Sequence, residues 1–228
     1  MFALFPAVMV EQAVVVKHKA PSHSFSFAQD PSTTSCSDAY NSGTGTATCT
    51  LSSTSAGQSG ILVCSDGAAP SSYSPSPTYS LTQNSGNVYI YNPLPTSTVS
   101  ITITFSNIYI HSVCYLWVVK GVATSSALDQ STGMNGTGYG SSPFTLGSVT
   151  TSNAVDVILG FWNYFSTGGT TTAGSGYTLA PGITGATNYA GMEYISTITS
   201  SSGTYAPTLG TTSTGQSFPG GVFALKLQ

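Results

Sequence analysis

Seven side chains of this sequence end in a carboxyl group: Glu11, Asp30, Asp38, Asp66, Asp129, Asp156 and Glu193. Cleaving a glycosidic bond takes two carboxyl groups roughly 5–10 Å apart, one as acid and one as base or nucleophile. Asp156 in DVILGFW and Glu193 in MEYIS both fall in runs of strand character, where they could face each other. The competing reading has each carboxyl hydrogen-bonded at a strand end or turned to solvent. Sugar-cleaving sites gather several Trp and Arg, whereas this chain has Trp117 and Trp162 and no Arg, so the second reading is preferred. His18, His23 and His111 form no constellation with a nucleophile, and no GxSxG elbow occurs. SGTGTATC and GTGYGSS are Gly-rich but lack the Lys of a phosphate loop. DQSTG (129–133) and SDG (65–67) supply single acidic residues where Ca²⁺ takes six to eight oxygens. The expectation is a protein that is not an enzyme, with no metal and no cofactor.

The cysteines, Cys36, Cys49, Cys64 and Cys114, include no CxxC, and only His111 lies near one of them. An even count in a hydroxyl-rich chain points to disulfides and an oxidising compartment, with three pairings open. The preferred pairing is Cys36–Cys49, closing a local loop, with Cys64–Cys114 joining two strands. Asn135-Gly136-Thr137 is an N-glycosylation sequon in a Gly-rich loop, making covalent glycan a candidate partner.

Charge is unusually sparse. Charged residues make up 5% of 228, against roughly 25% in ordinary domains. Four lysines (Lys17, Lys19, Lys120, Lys226) and a net charge of −3 cannot neutralise a phosphate backbone, so nucleic acid is excluded as a partner. Hydrophobic residues at 40% still permit a packed core. Solubility falls to Ser and Thr, about three residues in ten. Weak mutual repulsion tolerates association between copies.

Those residues must sit on strands, because no window repeats an apolar face at helical spacing over three turns. NVYIYN (87–92) alternates Val88 and Ile90 with Tyr89 and Tyr91. STVSITITF (97–105) sets Val99, Ile101, Ile103 and Phe105 against a face of Ser and Thr. Runs 111–121 and 154–162 are apolar on both faces and read as central strands. Further strands are expected at 46–51, 59–65, 191–199, 204–211 and 220–227, with Pro70, Pro75 and Pro77 marking an irregular excursion. The fold class is therefore all-β, an antiparallel β-sandwich of jelly-roll or immunoglobulin-like kind over residues 24–228. DVILGFW, TAGSGYTL, EYIST, SGTYAPTLGTT and GGVFALKL together resemble the strand-and-turn grammar of secreted bacterial and archaeal β-sandwich proteins. That likeness implies fold more than function.

Residues 1–23 are the remaining question. FALFPAVMV is apolar but no basic residue precedes it, and it is too short to span a bilayer, so a signal peptide or membrane span is not expected. Read as a strand, Phe2, Leu4, Val8, Val10, Val14 and Val16 take one face, and Phe5 joins the other. Sixteen extended residues reach roughly 50 Å, enough to enter a neighbouring subunit. On this apolar strand, the low charge and the Ser/Thr-rich sandwich, the chain resembles donor-strand-complemented filament subunits, the archaeal threads and bundling pili. The resemblance implies an extracellular homopolymer growing head-to-tail, with those seven residues as the subunit interface. The alternatives are a secreted or surface glycan-binding module of adhesive function, favoured by thirteen Tyr, or a viral capsid or spike protein.

Overall fold

A strand whose odd and even residues are both apolar needs cover on both faces, and the runs 59–65, 113–120, 156–163 and 220–226 meet that description. The computed structural model describes residues 23–32, 34–36, 43–51, 53–65, 70–83, 86–97, 99–108, 113–133, 142–163, 170–183, 190–195, 202–212 and 220–228. The expected donor residues 1–22, Asn135, His18 and His111 lie outside them. Strands are numbered along the chain.

The central sheet has the order β1-β9-β4-β7-β6. These are Ser26–Gln29, Val113–Lys120, Ser59–Ser65, Gly86–Tyr91 and Tyr79–Gln83. Every residue of β4 is buried, because the sheet is covered on both sides. Ile61, Val63, Val88, Ile90, Trp117 and Val119 form one face. Leu62, Cys64, Tyr89, Tyr91, Leu116 and Val118 form the other.

The second face packs on a four-stranded sheet of order β2-β3-β8-β5. Its strands are Ser35–Cys36, Gly43–Leu51, Val99–Ile108 and Pro70–Ser74. Ala47, Cys49, Leu51, Val99, Ile101, Ile103 and Phe105 point inward. The register sets Thr46 beside Thr104, Thr48 beside Thr102 and Thr50 beside Ser100 on the other side of this sheet. That outer surface is the hydroxyl-rich one that the alternation in STVSITITF predicts.

The first face packs on a C-terminal sheet of order β10-β19-β13-β16-β15. It comprises Leu128–Gly133, Gly220–Lys226, Asp156–Asn163, Ala190–Ile195 and Tyr177–Leu179. Val157, Leu159, Phe161, Met192, Phe223 and Leu225 meet the central sheet. The reverse face carries Ile158, Val222 and Ala224. Two short sheets cover it: β11-β18-β14 (Phe144–Thr145, Thr208–Thr211, Thr171–Ala173) and β12-β17 (Val149–Thr150, Thr204–Tyr205).

The fold is thus an all-β antiparallel sandwich, as expected, but built of more than two layers. All named strand pairs are antiparallel, and among the described residues there is no helix long and apolar enough to cross a membrane. Residues 204–211, expected as one strand, divide into β17 and β18 on different cover sheets, since Pro207 between them cannot donate to a ladder. The excursion at 70–77 resolves into β5 and the approach to β6, edge strands of two sheets, where Pro is tolerated.

The disulfides are Cys36–Cys49 and Cys64–Cys114, with Cα atoms 4.0 and 4.1 Å apart. Each joins directly opposed residues of neighbouring strands, β2–β3 and β4–β9. Both lie in the layer between the central and hydroxyl-faced sheets. They close loops of sequence separation 13 and 50. On chain entropy these are worth about 3 and about 4 kcal/mol. In urea unfolding, the pair Cys64→Ala/Cys114→Ala should lose more stability than Cys36→Ala/Cys49→Ala; the reverse order would contradict this account.

Candidate functional site

The C-terminal sheet holds the buried acids. Asp156 opens β13 opposite Lys226 of β19 and is fully buried. The Asn153 side-chain amide donates to its Oδ1 at 3.0 Å. Asp129 reaches it from β10, where the pairing with β19 slips between Leu128 and Gln130 and re-aims the strand. The backbone N–H groups of Ser152 and Asn153 donate to Asp129 Oδ2 at 2.7 and 3.1 Å, and the Ser152 hydroxyl donates to Oδ1.

Asp129 and Asp156 stand close enough for their charges to couple, and two adjacent carboxyl groups resist ionising together, which favours keeping Asp156 protonated. Burial pushes the Asp156 carboxyl up to about 6, against the Asn153 amide, and the neighbouring Asp129 charge adds to the rise. Burial also opposes ionisation of Asp129, but the Ser152 hydroxyl and the two N–H donors outweigh it and hold that carboxyl below its usual range. Asp156 is the acid and Asp129 the carboxylate of a coupled pair.

Glu193 lies on β16, flanked by Gly160 of β13 and Leu179 of β15, and is fully buried. Gly174 donates its N–H to Oε2 at 2.9 Å. Burial pushes this carboxyl up to about 7, and the Gly174 bond offsets only part of that rise. Tyr177 is pushed up to about 12 by burial first, then by Glu193 and Tyr205. A side chain at Gly160 would strike the cover, since a Cβ there would lie 2.8 Å from Pro207 Cβ.

Asp156 and Glu193 share a face but not a site, and both are buried rather than turned to solvent. Asp156 stands four residues from Gly160, the partner of Glu193, or about 13 Å along the sheet. Carboxyl groups that cleave a glycosidic bond stand closer, at roughly 5–10 Å. Trp117 and Trp162 are fully buried, with the Trp117 indole N–H donating to the Pro181 carbonyl at 2.8 Å, so neither offers a sugar-stacking platform. Tyr89 and Tyr91 are likewise interior, and much of the aromatic surplus is core. His23 bonds through Nδ1 to the Gln228 main-chain oxygen at 2.5 Å. Among the described residues, no group of three or more His, Cys, Asp or Glu could hold a metal ion. Asp66 and Gly67 of the SDG motif, with Glu11 and Asp38, lie outside those residues.

The sequence does not announce the Asp129–Asp156 pair. Its members are 27 positions apart, and only the register of β10 and β13 on the two sides of β19 brings them together. No protein-family model matches the chain, and no curated protein or solved structure resembles it significantly. The chemistry this geometry supports among the described residues is proton binding by buried carboxyl groups.

The pair makes stability depend on pH. The folded Asp156 sits above its ordinary value of 3.8, so its contribution is full below about pH 4 and is lost as pH rises through about 6. Asp129, held low, works oppositely and loses its contribution as pH falls. Thermal unfolding should therefore give a maximum Tm in mild acid and a decline towards pH 8. Asp156→Asn keeps a donor to Asp129 and does not titrate, so it should flatten part of that decline. A wild-type Tm higher at pH 8 than at pH 5 would refute the assignment.

Proposed function

We propose that this chain is the structural subunit of an extracellular filament, polymerising head-to-tail by placing its N-terminal strand in a neighbouring subunit. The observation that carries the reading is an apolar run, 2–16, leading in sequence into β1 at the edge of the central sheet. Among the described residues, both core layers flanking the central sheet are built from residues 25–227. His23 lies beside β1, and β1 pairs with β9 on one side only among the described strands. An apolar segment leading into a sheet edge is the chemistry of strand addition, where main-chain bonds give affinity and alternate side chains give specificity.

Two further observations favour an exported structural role. Two disulfides fit an oxidising compartment, and buried acids that take up protons suit a protein exposed to variable pH. The low charge leaves little to oppose close packing of copies.

Deleting residues 1–17 is the decisive experiment. The truncated protein should remain folded by circular dichroism and run as a monomer on sizing, while the full chain forms filaments in negative-stain microscopy. Val8→Asp with Val10→Asp should reproduce the loss with nearly the whole chain present. Filaments from the truncated chain would sink the proposal, and a monomeric full chain with saturable binding on a glycan array would favour the adhesive module instead.

A further inference from the structure

Glu193 sits where the chain changes sheet. β14 belongs to the cover and β15 to the C-terminal sheet, and only Gly174, Ser175 and Gly176 separate them. The corner is tight: Tyr177 donates its N–H to the Gly174 carbonyl at 3.0 Å, and Gly176 takes a φ of 82° that side chains disfavour. A Cβ on Gly174 would lie 2.3 Å from the Thr208 carbonyl oxygen. Beneath the corner, the Glu193 carboxyl receives the Gly174 N–H at 2.9 Å.

The surroundings of that carboxyl favour its neutral form. It is fully buried, and its second oxygen, Oε1, has no hydrogen-bond partner among the described residues. Gly160 faces it from β13, Tyr177 from β15, and Tyr205 adjoins Tyr177 from β17. β14 and β18 contribute no titratable side chain. Asp156 and Lys226, a directly opposed pair on β13 and β19, share the face but lie about 13 Å or more away. The remaining described lysine, Lys120, ends β9 in another sheet. Among the described residues this carboxyl has a single N–H donor and no adjacent cation, so its ionised form is costly in an apolar layer whereas the neutral acid is not.

We propose that protonated Glu193 clamps the β14–β15 corner onto the C-terminal sheet, and that its ionisation loosens this corner while the central sheet stays closed. The device is independent of whether the chain polymerises. In the closed corner the carboxyl titrates at about 7, and in a loosened corner that admits water it returns to its ordinary value of 4.5. Because the closed-state value is the higher one, the clamp is complete below about pH 4.5 and is lost as pH rises through about 7. Between pH 5.5 and 8.5 the closing equilibrium should weaken about thirtyfold.

Hydrogen exchange of the full chain, corrected for intrinsic rates, tests this directly. Peptides over 170–180 should lose protection about thirtyfold between pH 5.5 and 8.5 and should stay less protected than those over β4 and β9 at every pH, because the corner opens before the central sheet does. Glu193→Gln keeps an acceptor for Gly174 and cannot ionise, so its corner should show no such loss. Carbon-13 titration of the Glu193 carboxyl in the wild-type chain decides the matter even if that variant folds poorly. An ordinary carboxylate titration, or equal loosening in Glu193→Gln, would overturn the proposal.

Discussion

Everything in this fold depends on covering the central sheet twice. β4 and β9 bury both of their faces, so the sheet they form cannot stop at one partner. Supplying two partners creates two core layers, and each then dictates its own chemistry. The layer under the hydroxyl-faced sheet holds both disulfides and the interior tyrosines. The layer under the C-terminal sheet holds Trp117, Phe161 and Phe223. The C-terminal sheet inherits the same problem, because β13 is apolar on both faces as well, and the small cover sheets are its solution. A layered stack follows from strands that have no polar side.

Strands of that kind are the ones the sequence makes legible. In β4, β9, β13 and β19 the side chains alone specify burial, and their positions match the apolar runs within a few residues. The layer count is harder to read, and the reason is Tyr. Tyr89 and Tyr91 alternate with Val88 and Ile90, a pattern equally suited to a half-solvated strand, because a phenol packs well on either side of the surface. Both are interior here. Short edge strands such as β5, β6, β14 and β15 escape because Ser, Thr, Gly and Pro serve turns and edges alike. The disulfide pairing is readable in part: one bond closes a local hairpin and the other joins two obvious strands, which geometry then places directly opposite. The carboxyl chemistry is illegible, since it depends on a register slip between Leu128 and Gln130 and on the turn at Gly174.

Sparse charge shapes what the few acids do. In a surface rich in carboxylates a buried one is a minor component; here Asp156 and Glu193 are two of seven acidic residues, and both are fully buried. A close ion pair is the usual way to offset the burial of charge. Asp156 instead lies beside Asp129, whose charge adds to the rise that burial causes, against the pull of Lys226, and Glu193 relies on one backbone N–H. The interior is therefore tuned to the protonated state, while the Ser and Thr hydroxyls of the surface do not titrate below strongly alkaline pH.

That division bears on the proposed assembly. Contacts made by hydroxyls and apolar side chains give salt little to screen, and Glu11, Lys17 and Lys19 are the few charged side chains of the proposed donor segment and its crossing, so the proposed joint should weaken little with ionic strength. Proton uptake acts elsewhere, inside each subunit, at the edge where β10, β19 and β13 meet and at the corner between β14 and β15. A polymer of such subunits would keep its joints in brine and tighten its walls in acid. The two properties are separable because the acids lie in the C-terminal sheet, whereas β1, which continues from the proposed donor segment, belongs to the central one.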